Sequence, residues 1–230
     1  MNISGFQKLT LLDFPEKTAA TIFTGGCNMR CPFCHNSLLV TEFDGSSEFS
    51  EEEVLSYLKK RAGILDGICI TGGEPLLQKD IADFIKKVRE LGVAIKLDTN
   101  GSFPEKLRTL LDEGLIDYIA MDIKNSKEKY AETVGIANFD IAPIEESIRI
   151  IMTSGVDYEF RTTVVRELHE VADIEGVAEW IKGAKRYFLQ NFVDSGSLIG
   201  DNLSAHNRET LEKMRDVASK TVNYVQLRGV

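Results

Sequence analysis

Short β-branched runs alternate with stretches of helical spacing along nearly the whole chain, and this alternation limits the fold more than any other feature. Strands are expected at Thr18 to Phe23, Gly67 to Thr71, Val93 to Asp98, Asp117 to Ile123, Tyr158 to Val165 and Tyr187 to Phe192, with a short terminal strand at Val222 to Leu227. Ser50 and Glu53 form a capping box ahead of Val54, Leu55 and Leu58, and Ile81, Phe84, Ile85 and Val88 supply one apolar helix face that Gly92 ends. A third helix opens at Ser102, Pro104 and Glu105. Later stripes fall on Ile144, Ile148 and Ile151, on Ile174, Val177, Ala178 and Ile181, and on Leu211, Met214, Val217 and Ala218. Six βα units in 230 residues fall short of the eight that close a barrel. The expected fold is therefore α/β: an open partial TIM-type barrel of about six βα units, a single domain over 1–230, with its active site at the strand C-terminal ends. A doubly wound sheet is the competing arrangement, because alternation alone does not fix closure.

With 43% hydrophobic residues the chain can bury a core without disulfide staples. No apolar run reaches the roughly 18 residues of a membrane span, and Met1 to Gly5 lacks a basic segment followed by an apolar one. A cytoplasmic protein with no membrane association is expected. Against 27 Lys and Arg stand 36 Asp and Glu, a formal charge of -9, which argues against nucleic acid as a partner.

Three of the four cysteines crowd into Cys27-Asn28-Met29-Arg30-Cys31-Pro32-Phe33-Cys34, directly after the first expected strand and Thr24-Gly25-Gly26. Clustering of this kind points to metal or redox chemistry rather than a disulfide framework. Three thiolates can hold three irons of a 4Fe-4S cubane and leave the fourth open. A structural zinc knot with His35 as fourth ligand is the competing use, although closed zinc sites usually pair ligands from two separated segments. Cys69, in Ile68-Cys69-Ile70, reads as a small buried residue.

The C-x3-C-x-aromatic-C array after the first strand of a βα-repeat chain resembles the radical S-adenosylmethionine (radical SAM) superfamily, in which the open iron is chelated by the amino and carboxylate groups of S-adenosylmethionine. Thr71-Gly72-Gly73-Glu74-Pro75, at the end of the second strand, matches the superfamily segment that binds the methionine amino group. The resemblance thus implies cofactor contacts at Gly72, Gly73 and Glu74. It places Phe33 beside the adenine and His35 near the nucleoside or the cluster. Asp98-Thr99-Asn100-Gly101 and Asp122-Ile123-Lys124 resemble strand-end segments of the glycyl-radical-enzyme activases, which makes Asp98, Asn100 and Lys124 candidates for holding the cofactor. Asp98, Thr99 and Asp122 are also candidate ligands of a monovalent cation. Arg161, within Phe160 to Val165, is a candidate contact to cofactor or substrate if it points into the barrel; periodicity leaves inward and outward open. Gln190 is a weaker candidate, and His169 and His206 read as helix-start or surface residues.

Leu12-Asp13-Phe14-Pro15, Thr21 to Cys27 and the strand-end motifs extend the likeness over most of the chain, closest in pattern to the activating proteins of anaerobic ribonucleoside-triphosphate reductase. The resemblance implies one 4Fe-4S cluster, reductive cleavage of S-adenosylmethionine to methionine and a 5'-deoxyadenosyl radical, and abstraction by that radical of a hydrogen atom from a glycine of a partner enzyme, which leaves a glycyl radical there. It also implies a low-potential electron donor such as flavodoxin or ferredoxin. An activase of another glycyl-radical enzyme such as pyruvate formate-lyase, a radical SAM enzyme acting on a small molecule, and a zinc-binding interaction module are the alternatives.

Overall fold

The computed structural model describes residues 1–230. Seven strands run parallel in one sheet: β2 (Ala19–Thr24), β3 (Gly67–Gly72), β4 (Ala94–Thr99), β5 (Tyr118–Asp122), β6 (Asp157–Val164), β7 (Tyr187–Asn191) and β8 (Val225–Arg228). An eighth, β1 (Ile3–Thr10), pairs antiparallel with β2. Spatial order follows chain order from β1 to β8, and β1 does not pair with β8. A doubly wound sheet reverses its strand order at a switch point, whereas this one advances in a single direction. The fold is an open partial barrel.

The first strand was not legible in the sequence. Its ends, Ile3 and Thr10, are buried, but Gln7 to Leu9 are exposed, and its register shifts at Ile3/Gly5 and Gln7/Thr10 erase the period-two signal. The last strand begins three residues later than expected, because Val222 to Tyr224 form the turn that leads into it. The other expected strands lie within a residue or so of the observed ones.

The strands form where both faces can be buried: Ile68, Cys69 and Ile70 of β3, Ile95, Lys96 and Leu97 of β4, and Ile119, Ala120 and Met121 of β5 are all buried, so neither face of these alternating side chains is left open. The helices cover the outside. In α2 (Glu51–Lys60) the Ser50/Glu53 capping box is present and Val54 and Leu58 are buried. Between β3 and β4, α3 (Ile81–Arg89) buries Ile81, Phe84, Ile85 and Val88. Pro104 opens α4 (Pro104–Asp112), where its missing N–H costs nothing. The helices α6 (Ala142–Thr153), α7 (Val171–Trp180) and α8 (Arg208–Ala218) complete the layer, while α1 (Leu38–Thr41) and α5 (Tyr130–Thr133) are single turns. No helix is long and apolar enough to cross a membrane.

Candidate cofactor site

Glycine main chain joins the first two strand ends. Gly73 N–H donates to the Thr24 carbonyl at 2.8 Å, and Glu74 N–H donates to the Gly26 carbonyl at 2.9 Å. A Cβ on Gly73 would stand 2.0 Å from the Gly26 oxygen, so only glycine permits this approach. The cysteine loop is thereby locked against the Gly72-Gly73 segment. Arg30, itself exposed, braces the loop, its guanidinium donating to the carbonyls of Cys27 (2.7 Å) and Met29 (2.8 Å). Asn36 Nδ2 donates to the Gly72 carbonyl at 2.9 Å.

A second clasp comes from the segment after β7. Gly200 N–H donates to the Pro32 carbonyl at 2.8 Å, Ser37 Oγ to the Ser197 carbonyl at 2.6 Å, and His35 Nε2 to the Val193 carbonyl at 2.9 Å. His35 also stacks on Phe192, with ring centroids 6.1 Å apart. Polar and glycine-containing loop sequence carries no pattern that announces such a role.

These loops frame a cavity of about 220 Å³ at the strand C-terminal ends. Cys27, Cys31 and Cys34 line it together with Phe33, His35, Gly72, Gly73, Asp98, Asn100, Lys124 and Arg161, so that of the candidate cofactor contacts only Glu74 stands outside. Thr99, Asp122 and Gln190 reach it as well. The Glu74 carboxylate is fully buried and accepts three internal hydrogen bonds, from Leu76 N–H (3.0 Å), Thr99 Oγ1 (2.8 Å) and Asn100 N–H (2.7 Å). Burial pushes it up to about 7 against these donors. Asn100 in turn donates to Asn28 Oδ1 at 3.0 Å and lies 3.8 Å from Cys27 Sγ.

Arg161 points inward. Its Nε donates to Asp122 at 2.8 Å and its terminal nitrogen to Asp98 at 3.0 Å. Lys96 pairs with Asp98 from the far side, and Lys124 donates to Asp122 at 3.0 Å. The result is a ladder, Lys96–Asp98–Arg161–Asp122–Lys124, with three cations to two anions. Burial opposes ionisation of both aspartates, but Arg161 and the lysines outweigh it and hold both below the usual carboxylate range. Lys124 is raised by Asp122 in spite of burial, so it stays charged.

Lys96 escaped the sequence reading although a signal was there: it sits two residues before Asp98, on the same strand face, between Ile95 and Leu97. It is buried, and Cys69 lies 3.7 Å from its ammonium. Cys69 is buried as expected but borders this ion pair, and it does not line the cavity. His169 stands immediately before the N-cap of α7, one of the two places expected for it, but it is not at the surface. It is fully buried, because the chain after β6 turns back over the end of β5 and carries the ring inside.

The thiols are unpaired. Burial pushes Cys27 up and Cys31 to about 11, with Lys124 opposing the shift at Cys31. No three His, Cys, Asp or Glu side chains converge as a single metal ion requires. Soft sulfur donors spread along one cavity wall suit a polynuclear iron–sulfur cluster, and no fourth cysteine faces the cavity. Beside the thiols, main chain and fixed charges are available to an amino-acid-like ligand.

Residues 21–181 match the sequence pattern of the Radical SAM superfamily. The chain belongs to that superfamily. Membership implies a 4Fe-4S cluster and S-adenosylmethionine, which the donor set and the adjoining cavity fit. This radical SAM protein is 33% identical over 235 residues to a Methanocaldococcus jannaschii protein provisionally named a glycyl-radical enzyme activating enzyme, with 99% of this chain and 96% of that one covered. It is 29% identical over 138 residues to the 7-carboxy-7-deazaguanine synthase of Thermoplasma acidophilum, covering 60% of this chain and 62% of that one. Its fold is similar to a domain of the pyruvate-formate lyase-activating enzyme of Bacteroides vulgatus, with a TM-score of 0.58 at 16% identity, covering 71% and 99% of the two chains.

Proposed function

We propose that this radical SAM protein is an activating enzyme that generates a glycyl radical on a partner enzyme, and that the partner is an anaerobic ribonucleoside-triphosphate reductase. The observation that carries the reading is the end-to-end similarity to a protein named for glycyl-radical activation. The reading takes residues 1–230 as one working domain in the cytoplasm, reduced by a low-potential donor such as flavodoxin or ferredoxin.

In this reading Cys27, Cys31 and Cys34 hold three irons. The main chain of Gly72 and Gly73 and the side chains of Asn100, Lys124 and Arg161 orient the methionine portion of S-adenosylmethionine, with Phe33 and His35 toward its nucleoside. Glu74 serves from behind, fixing Asn100 and the turn after Gly73 through its three hydrogen bonds. When bound, the cluster and S-adenosylmethionine supply reductive cleavage of a sulfur–carbon bond and hence a primary carbon radical. Protein cations neutralise Asp98 and Asp122, and the Thr99 hydroxyl is directed to Glu74, so a monovalent cation is not required to balance the site.

The test is anaerobic reconstitution. The expected result is about four irons per chain, cleavage of S-adenosylmethionine under reduction, and a glycine-centred radical on an added anaerobic ribonucleotide reductase. A radical on pyruvate formate-lyase alone would reassign the partner. The similarity to a 7-carboxy-7-deazaguanine synthase supports a second reading, in which the substrate is a small molecule; turnover of the synthase's substrate without any glycyl radical would select it. Stoichiometric zinc with no iron uptake would sink both.

A further inference from the structure

His169 makes two side-chain hydrogen bonds that join the ends of two neighbouring strands. Its Nε2 lies 2.8 Å from the Lys124 carbonyl, two residues past β5, and its Nδ1 lies 3.1 Å from the Val165 N–H, one residue past β6. A carbonyl can only accept, so Nε2 carries the hydrogen; Nδ1 then accepts from Val165. The ring also meets Phe33 edge-on, with centroids 6.2 Å apart. Lys124, Phe33 and, on β6, Arg161 and Thr163 all line the cofactor cavity, while His169 does not.

We infer that His169 is a positioning residue for the cofactor site, a neutral Nε2–H imidazole that sets the main chain at Lys124 and backs the Phe33 ring. The inference rests on the proposed reading that Lys124 and Phe33 meet S-adenosylmethionine. Protonation would convert Nδ1 to a donor aimed at the nearby Val165 carbonyl, 3.2 Å away, and strip the Val165 N–H of its acceptor. The groups that face the ring are Asp173 of α7, held by Lys129 at 2.7 Å, and His206, whose Nε2 contacts the His169 carbonyl at 2.8 Å. Burial outweighs the bonds and Asp173 and keeps the imidazole neutral.

Two measurements test this. In the full-length wild-type chain, ¹⁵N NMR of labelled histidine is expected to find His169 as the Nε2–H tautomer, with any titration displaced below the ordinary histidine value because the ring is buried. An Nδ1–H tautomer, or titration at the ordinary value, overturns the inference without any cofactor present. In reconstituted protein, the affinity for S-adenosylmethionine is read from the change it causes in the electron paramagnetic resonance spectrum of the reduced cluster. His169→Gln keeps a donor toward Lys124 and is expected to bind within about threefold of wild type; His169→Asn is too short to reach that carbonyl and is expected to weaken binding about tenfold or more. Unchanged affinity in His169→Asn, or equal loss in both variants with equal loss of thermal midpoint, refutes a positioning role. If wild-type protein itself fails to bind S-adenosylmethionine, the functional reading fails, whereas the tautomer result still stands or falls separately.

Discussion

Arg161→Met isolates the centre of the charge ladder. Two charge-assisted hydrogen bonds disappear, to Asp98 and to Asp122. Bonds of this kind contribute about 1.5–3 kcal/mol each, so the gross loss is about 3–6 kcal/mol. Each carboxylate keeps its lysine, and the Asp122 side chain is 31% exposed, so water from the cavity can replace part of the lost solvation. The lower end applies, about 3 kcal/mol, which for a chain of this length lowers the thermal midpoint by about 6–12 °C. The pH dependence has a definite sign. Asp98 and Asp122 are held below their unfolded values, so their contribution is present above about pH 4 and is lost as pH falls through the folded values. The gap between wild type and Arg161→Met should therefore be widest near neutrality and shrink toward pH 3. Urea unfolding of the reduced, cluster-free chain followed by circular dichroism measures it. Arg161→Lys should recover about half, because one ammonium cannot replace the two-armed fork. A loss below about 0.5 kcal/mol at pH 7, or a gap that widens on acidification, refutes the ladder as a stabilising unit.

Glu74→Gln should show the opposite trend. An amide facing the Asn100 N–H sets donor against donor, but the wild-type group, pushed up to about 7, contributes fully below about pH 4.5 and loses its contribution as pH rises through 7. The same unfolding series should find the variant's deficit narrowing with rising pH, and a widening deficit contradicts the assignment. Alanine at Cys27, Cys31 or Cys34 should each reduce reconstituted iron sharply, while Cys69→Ala keeps the wild-type iron content by colorimetric assay; loss of iron in Cys69→Ala would make that cysteine a ligand. Alkylation of Cys31 in cluster-free protein should quicken about tenfold per pH unit up to about 11, since thiolate is the reacting form, and a plateau near pH 9 would show that burial does not raise it. Gly73→Ala must displace the Gly26 carbonyl by more than the contact allows, so proteolysis of the cysteine loop and iron loss should both increase; an unaltered variant would mean the two loops are less tightly joined than their hydrogen bonds indicate.

Local chemistry was legible in the sequence and tertiary enclosure was not. The cysteine array, the Gly72-Gly73 pair and the strand-end Asp98, Asp122 and Lys124 sit in contiguous motifs whose residue types already state a purpose. Parallel strands buried on both faces leave apolar runs that can be read directly. What escaped depends on neighbours distant in the chain. Lys96 acquires meaning from Asp98 and Arg161, His169 from Lys124 and Phe33, and the segment at Val193 to Gly200 from Pro32, His35 and Ser37. The three hydrogen bonds of Glu74 belong to the same class, since two come from a strand end 25 or so residues away.

A sheet that stops short of closure leaves two free margins, and unsatisfied strand margins invite neighbouring molecules to add strands of their own. Here each margin is poor at templating. The first strand has its start covered by Phe49, changes register twice, and carries Lys8. The last is four residues long, and Arg228 at its end is drawn across Phe188 to Glu159. An unclosed barrel can thus keep a seam in its wall without polymerising through it, which is a solubility requirement distinct from any demand of catalysis.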